Sequence, residues 1–231
     1  MPQALDAIIF DKDGTLFDFN ATWAPWAAAF INRVSNGDAE LAGKVSRSVG
    51  FDLSKGSFSQ DSVVIAGTPE DIVAEIAQHF PKTQMQSLIE TINDEAEAAP
   101  MAEAVPLAPF LDGLKRRGLK LGVATNDAEA PAIAHLEAVF VRDRFDFIAG
   151  SDSGYGGKPA PGQLLGFAET FSLEPARVAM VGDSLHDLRA GQAAGFLCIG
   201  VLTGMAPREV LEPYADVVLP NIGHIPAWLD A

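Results

Sequence analysis

The chain has 231 residues, 48% of them hydrophobic, with a formal net charge of −15. That suits one or two globular domains with real cores, and the acidity argues against nucleic acid or an anionic membrane surface as partner, both of which recruit basic patches. No window approaches ~18 uninterrupted apolar residues, so no transmembrane span is expected; residues 1–6 carry no basic segment of a secretory signal, and a single cysteine, Cys198, excludes an intramolecular disulfide framework and fits the cytoplasm.

The first strand-like run is 7–10, and it ends at Asp11-Lys12-Asp13-Gly14-Thr15. Helix-like pieces follow at 23–34, 40–49, 70–80 and 83–97, with Gly/Ser/Pro breaks near 50–59 and 67–69. An Ala- and Pro-rich stretch, 98–106, leads out of them. From there strands and helices alternate: helix 106–117, strand 119–124, helix 128–140, strand 145–149, helix 163–171, strand 178–181, helix 185–194, then strands 197–201 and 217–219. Gly118 and Gly195 stand where helix C-terminal caps belong. The strands are short, rich in Val, Ile and Leu, and lack polar alternation, as parallel strands covered on both faces do. The pattern predicts a doubly wound, mainly parallel α/β core of the Rossmann-like kind from 1–16 and 105–231, with 17–104 inserted as an α-helical cap domain.

In an open α/β sheet, ligands bind at the carboxyl ends of the strands, and each polar motif falls at such an end. Asp11 and Asp13 follow the first strand, Thr125-Asn126 follows the second of the core, Lys158 lies in the loop 151–159, and Gly182-Asp183-Ser184-Leu185-His186-Asp187 follows strand 178–181. Two carboxylates two residues apart repel and do not belong in a core; they make sense around a divalent cation and a phosphate. Mg²⁺ favours hard oxygen ligands, and Asp11 and Asp183 are the natural pair, with Asp187 supporting the shell. An ionised Asp beside the metal can attack phosphorus and form an aspartyl-phosphate. A second carboxyl must protonate the leaving alkoxide and then activate water, and Asp13 is placed for it. Thr125 and backbone amides near Gly14 and Asn126 are expected to hold the non-bridging oxygens, Thr15 to complete the turn, and Lys158 to neutralise the remaining charge.

Asp-x-Asp-Gly-Thr, a hydroxyl residue after the second core strand, Gly-Lys-Pro and Gly-Asp-x-x-x-Asp, in that order from Asp11 to Asp187, resemble the haloacid dehalogenase-like hydrolase superfamily. The helical insertion resembles the cap of its phosphoglycolate phosphatase and β-phosphoglucomutase branch. The resemblance implies that Asp11 is nucleophile and metal ligand, and that Asp13 is the acid/base with its backbone carbonyl also on the metal. It further implies that Thr125 and Lys158 bind the phosphoryl group, that Asp183 coordinates Mg²⁺, and that Asp187 acts in the outer shell or through water. By family comparison a dehalogenase lacks the acid at Asp13, so phosphoryl transfer is favoured.

The expected activity is Mg²⁺-dependent hydrolysis of a small phosphorylated metabolite of the phosphoglycolate kind, by a monomer or homodimer. The alternatives are a phosphomutase, which differs only in the phosphoryl acceptor, and a non-catalytic phospho-ligand-binding protein. Gly156-Gly157-Lys158-Pro159 is no P-loop, because Ser/Thr is missing after the Lys. Cys198 has no Arg six residues on and reads as a buried thiol. His79, His135, His186 and His224 are scattered, with His186 alone expected near the site. Trp23 and Trp26, at helical spacing, read as cap core. Arg47 and Lys55, near the Gly-rich break, are candidates to meet a substrate carboxylate.

Overall fold

The computed structural model describes residues 5–231; the expectations for residues 1–4, as non-signal and as the opening of the core, lie outside the described residues. β1 (Ala7–Phe10) is buried along its whole length. Ile8 and Phe10 enter one apolar cluster with Leu121, Val123 and Val181, while Ala7 and Ile9 enter another with Phe167, Met180 and Ala190. A strand that buries both faces has no polar positions to alternate, which is why its sequence reads as a continuous apolar run.

A mainly helical segment follows: α1 (Phe19–Ser35), α2 (Ala39–Ser48), the antiparallel ribbon β2 (Phe51–Asp52) and β3 (Ser57–Phe58), α3 (Pro69–Ile76) and α4 (Met85–Glu97). The Asp18 carboxylate accepts from Ala21 N to start α1, and Thr68 and Asp71 form a reciprocal capping box at α3. The segment has its own apolar cluster, in which Trp26, Phe30, Ile76 and Ile92 are buried. Along α1, Trp23 meets Trp26 edge-on and Trp26 stacks on Phe30, with ring centroids 5.0 and 5.2 Å apart, as side chains three and four apart on one helical face do. The ribbon lies in the stretch that reads as a break, and its two-residue strands are too short to show an alternating pattern. The helix expected over 70–80 is α-helical only to Ile76, then tightens into a 3₁₀ turn over Ala77–His79.

The chain then alternates through α5 (Leu107–Arg116), β4 (Lys120–Ala124), α6 (Glu129–Ala138), β5 (Phe147–Ala149), α7 (Gly162–Thr170), β6 (Val178–Gly182), α8 (Leu185–Ala194), β7 (Leu197–Val201), α9 (Arg208–Leu211), β8 (Val217–Leu219) and α10 (Ile225–Leu229). Gly195 caps α8 in the left-handed conformation at φ 75°. The six long-range strands form one sheet in the order β5-β4-β1-β6-β7-β8, every pair parallel. From β1 the chain moves outward through β4 and β5, then returns to pair β6 on the other side of β1. That reversal opens a crevice at the carboxyl ends of β1 and β6. Among the described residues no helix is long and apolar enough to cross a membrane.

Candidate active site

The turn after β1 is held from three sides. Asp11 N donates to Val181 O (2.8 Å), which carries the ladder one residue beyond the strand, and Leu16 N and Phe17 N return to Lys12 O (2.9 and 3.1 Å). Gly14 has φ +80°, and a Cβ there would lie 2.6 Å from Asp183 Oδ2, so glycine is what lets the turn close against Asp183. Thr15, fully buried, donates its hydroxyl to Asp183 Oδ1 (3.3 Å). On the facing strand end, Ser184 and Asp187 form a capping box at α8. Asp187 Oδ2 accepts from Ser184 N (3.0 Å) and Oγ (2.7 Å), which leaves Oδ1 for Lys158. Lys158 Nζ bridges Asp11 Oδ1 and Asp187 Oδ1, 2.6 Å from each. One carboxylate oxygen from each of Asp11, Asp183 and Asp187 lies within 4.8 Å of the others.

This cluster is under-neutralised. Burial pushes the Asp11 carboxyl up to about 7; Lys158 opposes the rise and the charges of Asp187 and Asp13 add to it. Burial, then the charges of Asp11 and Asp187, hold Asp183 well above the ordinary carboxylate range. Lys158 is driven upward because Asp11 and Asp187 together outweigh its desolvation. Three buried hard-oxygen donors with one ammonium between them fit a divalent cation such as Mg²⁺, which would restore the charged form of each.

Thr125, buried at the end of β4, accepts from Asp127 N at Oγ1 (3.1 Å). The amide of Gly14 is taken by Phe17 O (2.8 Å), so Gly14 itself offers no donor; the N–H groups of Asp13 and Asn126 have no backbone acceptor among the described residues. The Asn126 side chain is fully engaged: Nδ2 donates to Ala66 O (2.7 Å) and Lys158 O (2.8 Å), and Oδ1 accepts from Lys158 N (2.7 Å). Arg47 and Lys55 do not line the crevice. They border a separate surface groove, and Lys55 pairs with Asp52 at 3.1 Å. Trp23 belongs to the helical cluster and also lines the crevice.

Three residues escaped the sequence reading. Lys12, 0% exposed, turns inward and places Nζ 2.6 Å from Asp13 Oδ2, 3.2 Å from Asp127 Oδ2 and 2.8 Å from His135 Nδ1. Lysine has only donors, so Nδ1 of His135 is the acceptor and its Nε2–H donates to Ala96 O (2.6 Å). His186 is therefore not the single histidine near the site. Burial pushes Asp127 up to about 6 against the pull of Lys12; burial is also the largest single effect on Lys12 and lowers it, but Asp13 and Asp127 together outweigh that cost and hold it above its ordinary value. The Asp127 that follows Thr125-Asn126 was the one available signal for this network.

The helical segment roofs the crevice and leaves a cavity of ≈ 40 Å³, room for roughly three waters. Asp11, Asp13, Asp127, Asp183, Asp187 and Lys158 line its floor. The family model for a haloacid dehalogenase-like hydrolase matches residues 5–195. A phosphoglycolate phosphatase from Nitrosospira multiformis is 30% identical over 96% of this chain and 94% of its own length. One from Neisseria meningitidis is 31% identical over 97% and 92%. A crystal structure of a predicted phosphoglycolate phosphatase from Haemophilus somnus shares the fold, with a TM-score of 0.75 at 19% identity over 97% of each chain. With the four motifs meeting at one crevice, these likenesses establish that the chain belongs to the haloacid dehalogenase-like hydrolase family, in its phosphoglycolate phosphatase-like branch.

Proposed function

We propose that this phosphoric monoester hydrolase is a Mg²⁺-dependent phosphatase of a small phosphorylated metabolite, working through an aspartyl-phosphate on Asp11. The observation that carries the reading is the convergence of Asp11, Asp183 and Asp187 around Lys158 at the switch point of the sheet. The carboxylates of Asp11 and Asp183 and the backbone carbonyl of Asp13 would hold Mg²⁺, with Asp187 in support. Bound there, the ion supplies positive charge for the carboxylates and the phosphate together. A carboxylate oxygen of Asp11 bonds to phosphorus as the bond to the leaving oxygen breaks, and Asp13 gives that oxygen its proton. Asp13 then takes a proton from water, whose oxygen attacks phosphorus, releases inorganic phosphate and restores Asp11. Lys158, the Thr125 hydroxyl and the free amides of Asp13 and Asn126 hold the non-bridging oxygens, and Gly14 and Thr15 shape the turn beneath them.

In the same reading, residues 17–104 are a cap over a core of 1–16 and 105–231. Support comes from their separate apolar cluster and from the way they roof the cavity. Closure excludes bulk water from the phosphoenzyme. The proposed setting is the cytoplasm, where the lone buried thiol Cys198, raised to about 12 by burial, is not called on for a disulfide. The relatives' names make phosphoglycolate the first substrate to test.

Asp11→Asn is expected to lower Mg²⁺-dependent phosphate release by roughly 10⁴-fold or more, with circular dichroism and Tm retained; an unimpaired rate sinks the mechanism. Failure to release phosphate from a generic aryl phosphate with Mg²⁺ points to a non-catalytic binder. Isomer formation from β-glucose 1-phosphate in excess of phosphate release points to a mutase.

A further inference from the structure

The roof of the cavity is apolar. Phe19 and Trp23 of α1, Val64, Pro69 and Ile72 at the approach to and within α3, and Ile92 of α4 line it. Among the described residues no arginine lines the cavity; Lys158 is bound to Asp11 and Asp187 on the floor, and the remaining basic group is the His186 imidazole at the start of α8. Backbone donors are no substitute, because every N–H of the roof loop is committed within that loop. Val64 N donates to Ser62 Oγ (3.2 Å), Ile65 N to Ser62 O (3.2 Å), Ala66 N and Gly67 N both to Val63 O, and Thr68 N to Asp71 Oδ2 (2.9 Å).

The floor meanwhile carries five aspartates. A carboxylate on the leaving group would therefore enter a water-poor, acidic cavity without a counter-charge, the least favourable way to bury an anion.

We infer that the leaving group this site takes is a small, uncharged alcohol, which lays an apolar face against α1, α3 and α4. The inference rests on the phosphatase reading and narrows it: phosphate monoesters whose alcohol bears a carboxylate, 2-phosphoglycolate included, are poor substrates.

The test is the kcat/KM of the Mg²⁺-loaded full chain on 2-phosphoglycolate, its neutral isostere 2-phosphoglycolamide, propyl phosphate and phenyl phosphate. The amide is expected to exceed the acid by roughly tenfold or more. A ratio near one, or a preference for 2-phosphoglycolate, overturns the inference and leaves the phosphatase reading standing. Phosphate release from none of the four overturns both.

Discussion

Lys12 stands between the two acids of the first turn, and it is fully buried with Asp13 and Asp127 as its counter-charges. Removing one partner of a buried ion pair leaves the others uncompensated, so Lys12→Met is expected to cost about 3–5 kcal/mol, read as a fall in Tm. Adding Asp127→Asn should recover part of that loss. In sequence a lysine between two aspartates reads as a solvated charge, because nothing local reveals that the turn carries it inward. Gly204, in the loop after β7, was also illegible. A Cβ there would lie 1.6 Å from Asp183 Oδ2 and 2.2 Å from Asp183 Cγ, while neighbouring Thr203 donates to Gly14 O (2.6 Å). Gly204→Ala is expected to displace Asp183 and weaken the apparent Mg²⁺ affinity by about 10–100-fold with the fold retained, as disturbing a support of a metal ligand does. A Mg²⁺ titration of activity and of Tm checks it.

At the scale of elements, α6 ties the helical segment to the catalytic turn through His135, whose ring spans Lys12 and the last turn of α4. Burial, then the nearby Lys12, pushes this imidazole down from 6.5 to about 4. The unfolded chain takes up that proton first as pH falls, so the contribution to stability is complete above about 6.5 and is lost as pH falls through about 4. Its size is on the order of 3 kcal/mol. His135→Gln keeps a donor and an acceptor without the titration, and is expected to shrink the drop in Tm between pH 7 and pH 4.5; an unchanged drop counts against this role. Elements whose apolar runs or caps end sharply were legible: β1, β7, β8 and α8 have the expected bounds. Legibility failed where a pairing partner decides the conformation. The strand expected over 145–149 begins only at Phe147, since Phe145 N closes the preceding turn on Arg142 O. The four motif positions were legible because each ends an apolar run or lies in the loop that follows one. The roof was not, because which helical side chains face the crevice depends on how the segment lies over the sheet.

For the whole molecule, the acidic crevice sets a pH-dependent strain that the proposed Mg²⁺ would relieve. The Asp11 carboxyl sits at about 7 against 3.8 in the unfolded chain. Its contribution to stability is therefore complete below about 4 and lost as pH rises through about 7 in metal-free protein. Mg²⁺ competes with those protons, so it is expected to raise Tm more at pH 8 than at pH 5, compared with EDTA in each case by scanning calorimetry. Two of the tethers between the core and the roof share a further property. Asn126 Nδ2 ends on Ala66 O and His135 Nε2 on Ala96 O. Both grip main-chain carbonyls, which every amino acid supplies, so side chains at positions 66 and 96 can change without removing either grip. Roof sequence can thus drift, and substrate preference with it, while the apparatus that seats the roof over the aspartates passes unaltered from one descendant to the next.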